Sequence, residues 1–348
     1  MDPHSDIDPL TALAIRHGTD KWGAHFYTPI YHATFAHLRH KPVRLLEIGV
    51  GGYEFRRDGG ASLSMWADYF PRGRIVGIDV AEKKLDLGPR VTIVRGSQTD
   101  AEFLARVTAE HGPFDIIIDD GSHVPSHVVA SFKALFPALA GDGLYVIEDV
   151  QTAFWPKYGG SPRTGGDTFA LAQSILQALN HAEVRLAAPD WQPPPVASTV
   201  RAFRAYHNLF IIEKGDNTEP SSLRLDRDEP HVARAIAAIE REVARAPTPE
   251  STAHLAMMYF LTKQPRRALE TAQAGLVRWP DNLRLLIAAI RITRRVGAAK
   301  ALAALAERAV ALDPADLLLR KWLERAQAAA SSPPAKSTAP TPEPSNVR

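Results

Sequence analysis

The chain changes its hydrophobic period part-way along. From Pro42 to about Gly215, short runs rich in β-branched residues alternate with stretches of helical period, the pattern of βαβ units around a parallel sheet. Seven runs read as strands: Val43 to Ile48, Arg74 to Asp79, Arg90 to Arg95, Phe114 to Asp119, Leu144 to Glu148, Glu183 to Leu186 and Asn208 to Glu213. Ligands of such sheets bind beyond the carboxyl ends of the strands, and four runs carry an acid there: Glu47, Asp79, Asp119 and Glu148. The last run follows the Pro-containing connection Pro189 to Ser198 instead of a helix, which predicts that it lies antiparallel to its neighbours.

From about Pro230 to Ala330 the composition shifts to Ala, Leu, Arg and Glu and no strand pattern survives. Pro247, Pro280 and Pro314 recur at intervals of 33 and 34, the period of tetratricopeptide helix pairs; an ordinary helical bundle is the alternative. Counted back from Pro280, the helix contact positions carry Leu255, Ala256, Tyr259, Ala268, Ala272 and Gly275, and Leu317 to Ala330 is placed to cap the array. The next unit has Leu302 where a small residue is expected. The tail from Ser331 to Arg348 is rich in Pro, Ser and Thr with the lone aliphatic Val347, too little apolar area to order itself. The expected organisation is a helical lid segment over 1–40, an α/β domain over 41–215, a linker with a first helix over 216–246, tetratricopeptide-like repeats over 247–330 and a disordered tail over 331–348. The fold class follows: a doubly wound, Rossmann-like sheet of about seven strands with an antiparallel last strand, followed by an all-α domain.

At roughly 150 residues per domain, 348 residues fit two domains. Forty-one Lys and Arg against 39 Asp and Glu give a charge of +2, so no global field argues for nucleic acid or an anionic membrane. The absence of cysteine excludes disulfides and thiolate chemistry. The acidic start has no signal-peptide pattern and no run of 18 apolar residues occurs, so a cytoplasmic protein without a membrane span is expected.

The run Leu45-Leu46-Glu47-Ile48-Gly49-Val50-Gly51-Gly52 sets glycines after the first strand, where a backbone without side chains admits a ligand closely. A dinucleotide fingerprint would need a third glycine where Glu54 stands. Glu47 instead suits a cationic amino-acid moiety, and Asp79 the two hydroxyls of a ribose, with a helix N-cap as the alternative for Asp79. Asp120 follows the fourth strand, and Glu148 with Asp149 follow the fifth. These strands are neighbours in a doubly wound sheet, and three converging carboxylates call for a cation, Mg²⁺ by their hard oxygen donors. Helix capping and pairing with Lys or Arg are the competing uses, and Asp119 is set against the cofactor instead. His123, three residues past Asp120, is an imidazole of the right basicity to take a proton, while His127, one helical turn on, reads as structural and His181 and His207 have no acidic cluster beside them in sequence.

These motifs, with Gly18-Thr19-Asp20-Lys21-Trp22-Gly23, Gly60-Ala61-Ser62-Leu63-Ser64-Met65-Trp66, Ile118-Asp119-Asp120-Gly121-Ser122-His123 and Val146-Ile147-Glu148-Asp149-Val150, resemble the class I S-adenosylmethionine-dependent methyltransferases. Among these, a closer resemblance is to the Mg²⁺-dependent sugar O-methyltransferases of macrolide biosynthesis, and it spans about residues 10 to 215. It implies S-adenosylmethionine held by Lys21, Glu47, Gly49, Gly51, Asp79, Gln98 and Asp119, with Lys21 on the carboxylate of the methionine moiety. It further implies Mg²⁺ on Asp120, Glu148 and Asp149, His123 as general base, and an acceptor, small molecule or glycan, that carries a sugar hydroxyl. The glycine-rich loop 51–60 is expected to fold over the cleft, and Phe154, Trp155 and Tyr158 to stack on sugar rings. A catechol-like or other diol acceptor is a second reading. A third is a cofactor-binding protein whose repeats recruit a protein partner, and a homo-oligomer is admitted.

Overall fold

The computed structural model describes residues 7–221 and 225–331 and divides the chain into two compact units, Met1–Thr218 and Glu219–Arg348. The expected tail beyond Ser331 lies outside the described residues.

In the first unit, seven strands form one sheet: β1 Arg44–Ile48, β2 Arg74–Asp79, β3 Val91–Arg95, β4 Phe114–Asp119, β5 Leu139–Ile147, β6 Val200–Tyr206 and β7 Leu209–Lys214. Their order is β3-β2-β1-β4-β5-β7-β6, parallel from β3 to β5, with β7 antiparallel to both β5 and β6. The antiparallel last run is therefore as the sequence leads one to expect. The sixth expected strand is not. Glu183 to Leu186 lies in a helix, His181–Ala187, with no buried residue. Four alternating residues flanked by alanines fit either period, and without a face to bury nothing holds them extended. The missing strand is β6, where Arg201 and Arg204 both reach Glu213 across the hairpin at the sheet's edge.

Successive residues of a strand point to opposite faces, and both faces of this sheet are covered. Leu45, Ile75, Ile116, Ile118 and Val146 face α1 Pro9–His17, α2 Thr28–Phe35 and α3 Ala61–Tyr69 through Leu10, Tyr31, Phe35 and Trp66. Leu46, Val76, Ile117, Tyr145 and Ile147 face α4 Ala101–His111, α5 Pro125–Leu135 and α6 Gly166–Leu179 through Phe103, Val107, Phe132 and Ile175. The segment ahead of the sheet belongs to this core. α1 starts where Asp8 accepts from the N–H groups of Leu10 and Thr11, with Pro9 in the first turn, and stops at Gly18 in the left-handed region.

The second unit is helical: after α7 (His181–Ala187, in the first unit) come α8 Pro230–Arg245, α9 Pro249–Leu261, α10 Pro265–Arg278, α11 Leu283–Val296, α12 Ala299–Leu312 and α13 Leu317–Ser331. α9, α11 and α13 begin 34 residues apart, as do α10 and α12. Leu255, Ala256, Tyr259, Ala268 and Ala272 are buried where α9 meets α10 and their neighbours. Gly275 permits close approach, because a Cβ there would come within 2.8 Å of Leu285 Cδ2. No helix among the described residues is long and apolar enough to cross a membrane.

Candidate active site

The register brings the acids together. Ile48 of β1 pairs with Asp119 of β4, and Asp119 with Ile147 of β5. The ladder runs on past the strand ends, Asp120 N donating to Ile48 O and Glu148 N to Asp119 O, both at 3.0 Å. Asp120 and Glu148 thus leave the sheet side by side, next to the turn after β1. Into this edge the segment between α1 and α2 inserts Lys21, 1% exposed. Its Nζ lies 2.7 Å from Asp120 Oδ2, 2.7 Å from Glu148 Oε1 and 3.1 Å from Glu47 Oε1. The last is an ion pair without a hydrogen bond, since Glu47 Oε1 receives none. Tyr31 donates its hydroxyl to Glu148 Oε1 at 2.5 Å, and Ser62 donates to Glu47 Oε2 at 2.9 Å.

Burial opposes the charge of Lys21, but Asp120, then Glu148 and Glu47, outweigh it and hold the ammonium well above its usual range. Burial, then the charge of Asp120, pushes Glu148 well up against the pull of Lys21. Glu47 is raised chiefly by burial.

A second group adjoins the first and shares Asp120: donor atoms of Asp120, His123 and Asp149 all lie within 4.8 Å of one another. His123 Nε2 is 3.8 Å from Asp149 Oδ2, His25 Nδ1 is 3.5 Å from Asp149 Oδ1, and Tyr27 donates its hydroxyl to Asp149 Oδ1 at 2.8 Å. His123 (φ 56°) and Asp149 (φ 53°) both sit in the left-handed region, a strain of about 1 kcal/mol or more each that recurs at functional sites. Thr152 ties the two loops by donating to the carbonyl of His123 at 3.0 Å.

Of the expected metal set, Asp120 belongs to both groups, Glu148 to the Lys21 group and Asp149 to the His123 group. The carboxylate oxygens of Asp120 and Asp149 fit a hard divalent ion, with separations that accommodate the roughly 4.2 Å across an octahedral ion ligated at about 2.1 Å.

The residues expected at the cofactor divide. Asp79, half-buried at the end of β2, accepts from Val50 N at 3.0 Å and Ala81 N at 2.8 Å, so it braces the turn after β1 while its remaining lone pairs stay available. Gly49 is needed for chain packing: a Cβ there would lie 2.2 Å from the carbonyl oxygen of Asp120. Gly51 has room around it and is needed for its φ of 75°. Lys21 is engaged by the three carboxylates. Asp119 is 2% exposed on the α5 side of the sheet, accepting from Ser131, from Gln98 Nε2 at 3.1 Å and from Tyr145 at 3.4 Å; burial outweighs these donors and pushes it up to about 6. Gln98 Oε1 in turn accepts from Ser122 N at 2.8 Å, so Asp119 and Gln98 fix the loop that carries His123.

Loop 51–60 is held at its base by Lys83, whose Nζ meets the carbonyls of Gly51 (2.5 Å) and Tyr53 (2.7 Å), and it exposes Tyr53 and Phe55. Tyr158 stands edge-on to His123 at 6.4 Å between ring centres, with Trp155 6.0 Å from Tyr158, whereas Phe154 packs on Phe169. Sequence reasoning missed Tyr27, which caps α2, and Tyr31, one turn on within it; that i, i+4 spacing toward the acids was the available signal.

No protein-family model matches the chain. It is 47% identical over 215 residues, 60% of this chain and 55% of the relative, to the 8-demethyl-8-(2-methoxy-alpha-L-rhamnosyl)-tetracenomycin-C 3'-O-methyltransferase of Streptomyces olivaceus. To the mycinamicin VI 2''-O-methyltransferase of Micromonospora griseorubida it is 44% identical over 214 residues, 60% of this chain and 53% of the relative. The MycE methyltransferase from the mycinamycin biosynthetic pathway, solved in complex with Mg and SAH, superimposes with a TM-score of 0.59 at 41% identity, covering 66% of this chain and 59% of that one. The first unit has the α/β methyltransferase fold. This methyltransferase-like chain spans about half the length of the curated relatives it matches.

Proposed function

We propose that the chain is an O-methyltransferase that uses S-adenosylmethionine and Mg²⁺ to methylate a sugar hydroxyl of a glycosylated small molecule or glycan. The observation that carries this reading is the convergence of Asp120, His123 and Asp149 within ligating distance at the carboxyl edge of the sheet. The sugar as acceptor is supported by the names of relatives that methylate rhamnosyl-tetracenomycin and mycinamicin.

In the reaction the acceptor oxygen attacks the methyl carbon, the C–S bond breaks with its electron pair passing to sulfur, and the hydroxyl proton must leave. Near neutral pH a sugar hydroxyl is almost wholly protonated, so a base in reach lowers the barrier. His123 is that base, with the Asp149 carboxylate 3.8 Å from Nε2 to favour the imidazolium as it forms. Asp120 and Asp149, with Glu148 beside Asp120, would hold a divalent ion, which when bound would supply Lewis acidity to the acceptor hydroxyl. Asp79 takes the ribose hydroxyls at the turn after β1, and Trp155 and Tyr158 offer ring faces to the acceptor. Holding acceptor and sulfonium in line makes the displacement effectively unimolecular.

The helical unit serves recognition of a partner or of a bulky acceptor. Arg284, Arg291 and Arg294 lie along one side of α11 and meet no carboxylate within ion-pair distance among the described residues, which supports an acidic one.

The test is methyl-labelled S-adenosylmethionine with Mg²⁺ and a panel of glycosylated polyketides, their aglycones and a catechol. Label in the glycosides alone is expected; label in the catechol alone moves the acceptor to the diol class, and label in none removes the transferase reading.

A further inference from the structure

Lys21 stands where three buried acids meet, and the way it touches them is selective. It binds one oxygen of Asp120, Oδ2, and one of Glu148, Oε1. The Tyr31 hydroxyl falls on the same Glu148 oxygen at 2.5 Å. Asp120 Oδ1 and Glu148 Oε2 accept no hydrogen bond from the described residues. Glu47 is different: Ser62 holds its Oε2 and Lys21 faces its Oε1, so both of its oxygens are committed to the protein.

We propose that Lys21 is a positioning residue that sets the metal centre for Mg²⁺ against Ca²⁺, by occupying one oxygen of each of two metal-ligating carboxylates so that each can offer an ion only the other. Mg²⁺ takes six ligands in a near-octahedral shell at about 2.0–2.1 Å, keeps several waters and is served by single carboxylate oxygens. Ca²⁺ takes 6–8 oxygens at about 2.3–2.6 Å and gains from carboxylates that present both. With Oδ2 and Oε1 engaged, the site gives Mg²⁺ what it needs and withholds from Ca²⁺ the bidentate contacts that would favour it. Charge alone cannot do this. Removing a positive charge strengthens the attraction of any divalent ion by a similar factor, so the ratio of the two affinities isolates the oxygen blocking from the charge. The inference rests on the metal reading above.

The experiment is calorimetric titration of Mg²⁺ and of Ca²⁺ into the full chain, wild type and Lys21→Met, without cofactor. The ratio of Ca²⁺ to Mg²⁺ dissociation constants is expected to fall at least tenfold in Lys21→Met, while Tyr31→Phe, which leaves Lys21 in place, keeps the wild-type ratio within about threefold. A ratio unchanged in Lys21→Met overturns the role of Lys21 and leaves the metal centre standing. If neither ion binds the wild type, the metal reading falls and this inference with it. Should Lys21→Met not fold, difference infrared spectra of the wild type with Ca²⁺ decide: carboxylate bands of single-oxygen ligation support the proposal, and bands of two-oxygen ligation overturn it.

Discussion

The hydroxyl of Tyr27 donates to Asp149 Oδ1 at 2.8 Å, across 122 residues of sequence. The segment ahead of the sheet therefore supplies the support for an acid on the far side of the site. Removing the carboxylate and removing its support should differ in degree. Asp149→Asn is expected to weaken Mg²⁺ binding at least tenfold with S-adenosylhomocysteine affinity within about threefold of wild type, and Tyr27→Phe to weaken it less, since the carboxylate that ligates stays in place and loses only one hydrogen bond that orients it. Titration calorimetry with the ion and with the cofactor product separates the two; equal loss of both ligands would mean that Asp149 only holds the fold.

His123→Ala should lower kcat by roughly 10²- to 10⁴-fold, the usual contribution of a positioned base. The melting temperature and S-adenosylhomocysteine affinity should stay near wild type, because the imidazole is partly exposed and its loop is fixed from behind by Asp119 and Gln98. A fall in melting temperature with kcat intact would make the residue structural.

S-adenosylhomocysteine at about 100 times its dissociation constant should stabilise the protein by roughly 2.7 kcal/mol, read as a rise in melting temperature, and NAD should leave it unmoved. Asp79→Ala should abolish most of that rise, at the further expense of the turn that it braces through Val50 and Ala81. Stabilisation by NAD alone would overturn the cofactor.

Much of this site was legible because parallel strands are buried on both faces and read as apolar runs, so an acid at the end of such a run stands out. Asp79, Asp120 and Glu148 stand out in that way. What escaped was set by tertiary packing. The resemblance sets Lys21 on the carboxylate of a cofactor; that it lies among three acids of the chain depends on β1, β4 and β5 ending level with one another. Nor does Gly49 advertise that its constraint is the carbonyl of Asp120, 2.2 Å from where a Cβ would be, and not a ligand. β6 was hidden by its edge position: Arg201 and Arg204 break its apolar run, and only the opposing Glu213 makes sense of them.

That pairing gives a pH test. Burial raises Glu213, but hydrogen bonds from Arg201 and Arg204 and their charges outweigh it and hold the carboxyl below the usual 4.5. A carboxyl lowered in the folded state contributes stability that is fully present above its unfolded value and is lost as pH falls through the folded one. Glu213→Gln should therefore cost about 1 kcal/mol or less at pH 7, as expected for partly exposed pairs. The difference from wild type should begin to shrink as pH falls below 4.5 and vanish once pH is below the lowered folded value. Denaturant unfolding at pH 7 and pH 3 would measure it, and an equal difference at both would remove the ion pairs as the cause.

The two units allow a final separation. Every residue assigned to cofactor, ion or proton transfer lies before Thr218, and the core clusters that cover the sheet draw on residues from Leu10 to Ile212 alone. The helices from α8 onward have a core of their own, running from Val232 to Leu319. A chain ended at Thr218 is accordingly expected to be soluble, to unfold cooperatively and to bind S-adenosylhomocysteine within about threefold of the full chain. Repeat-like helical units present extended surfaces for recognition, so transfer to a small glycoside should persist in the shortened chain while a bulky acceptor loses turnover. Calorimetry and a labelled-methyl assay on both lengths measure this. A shortened chain that aggregates or fails to bind S-adenosylhomocysteine would make the helices part of the catalytic fold.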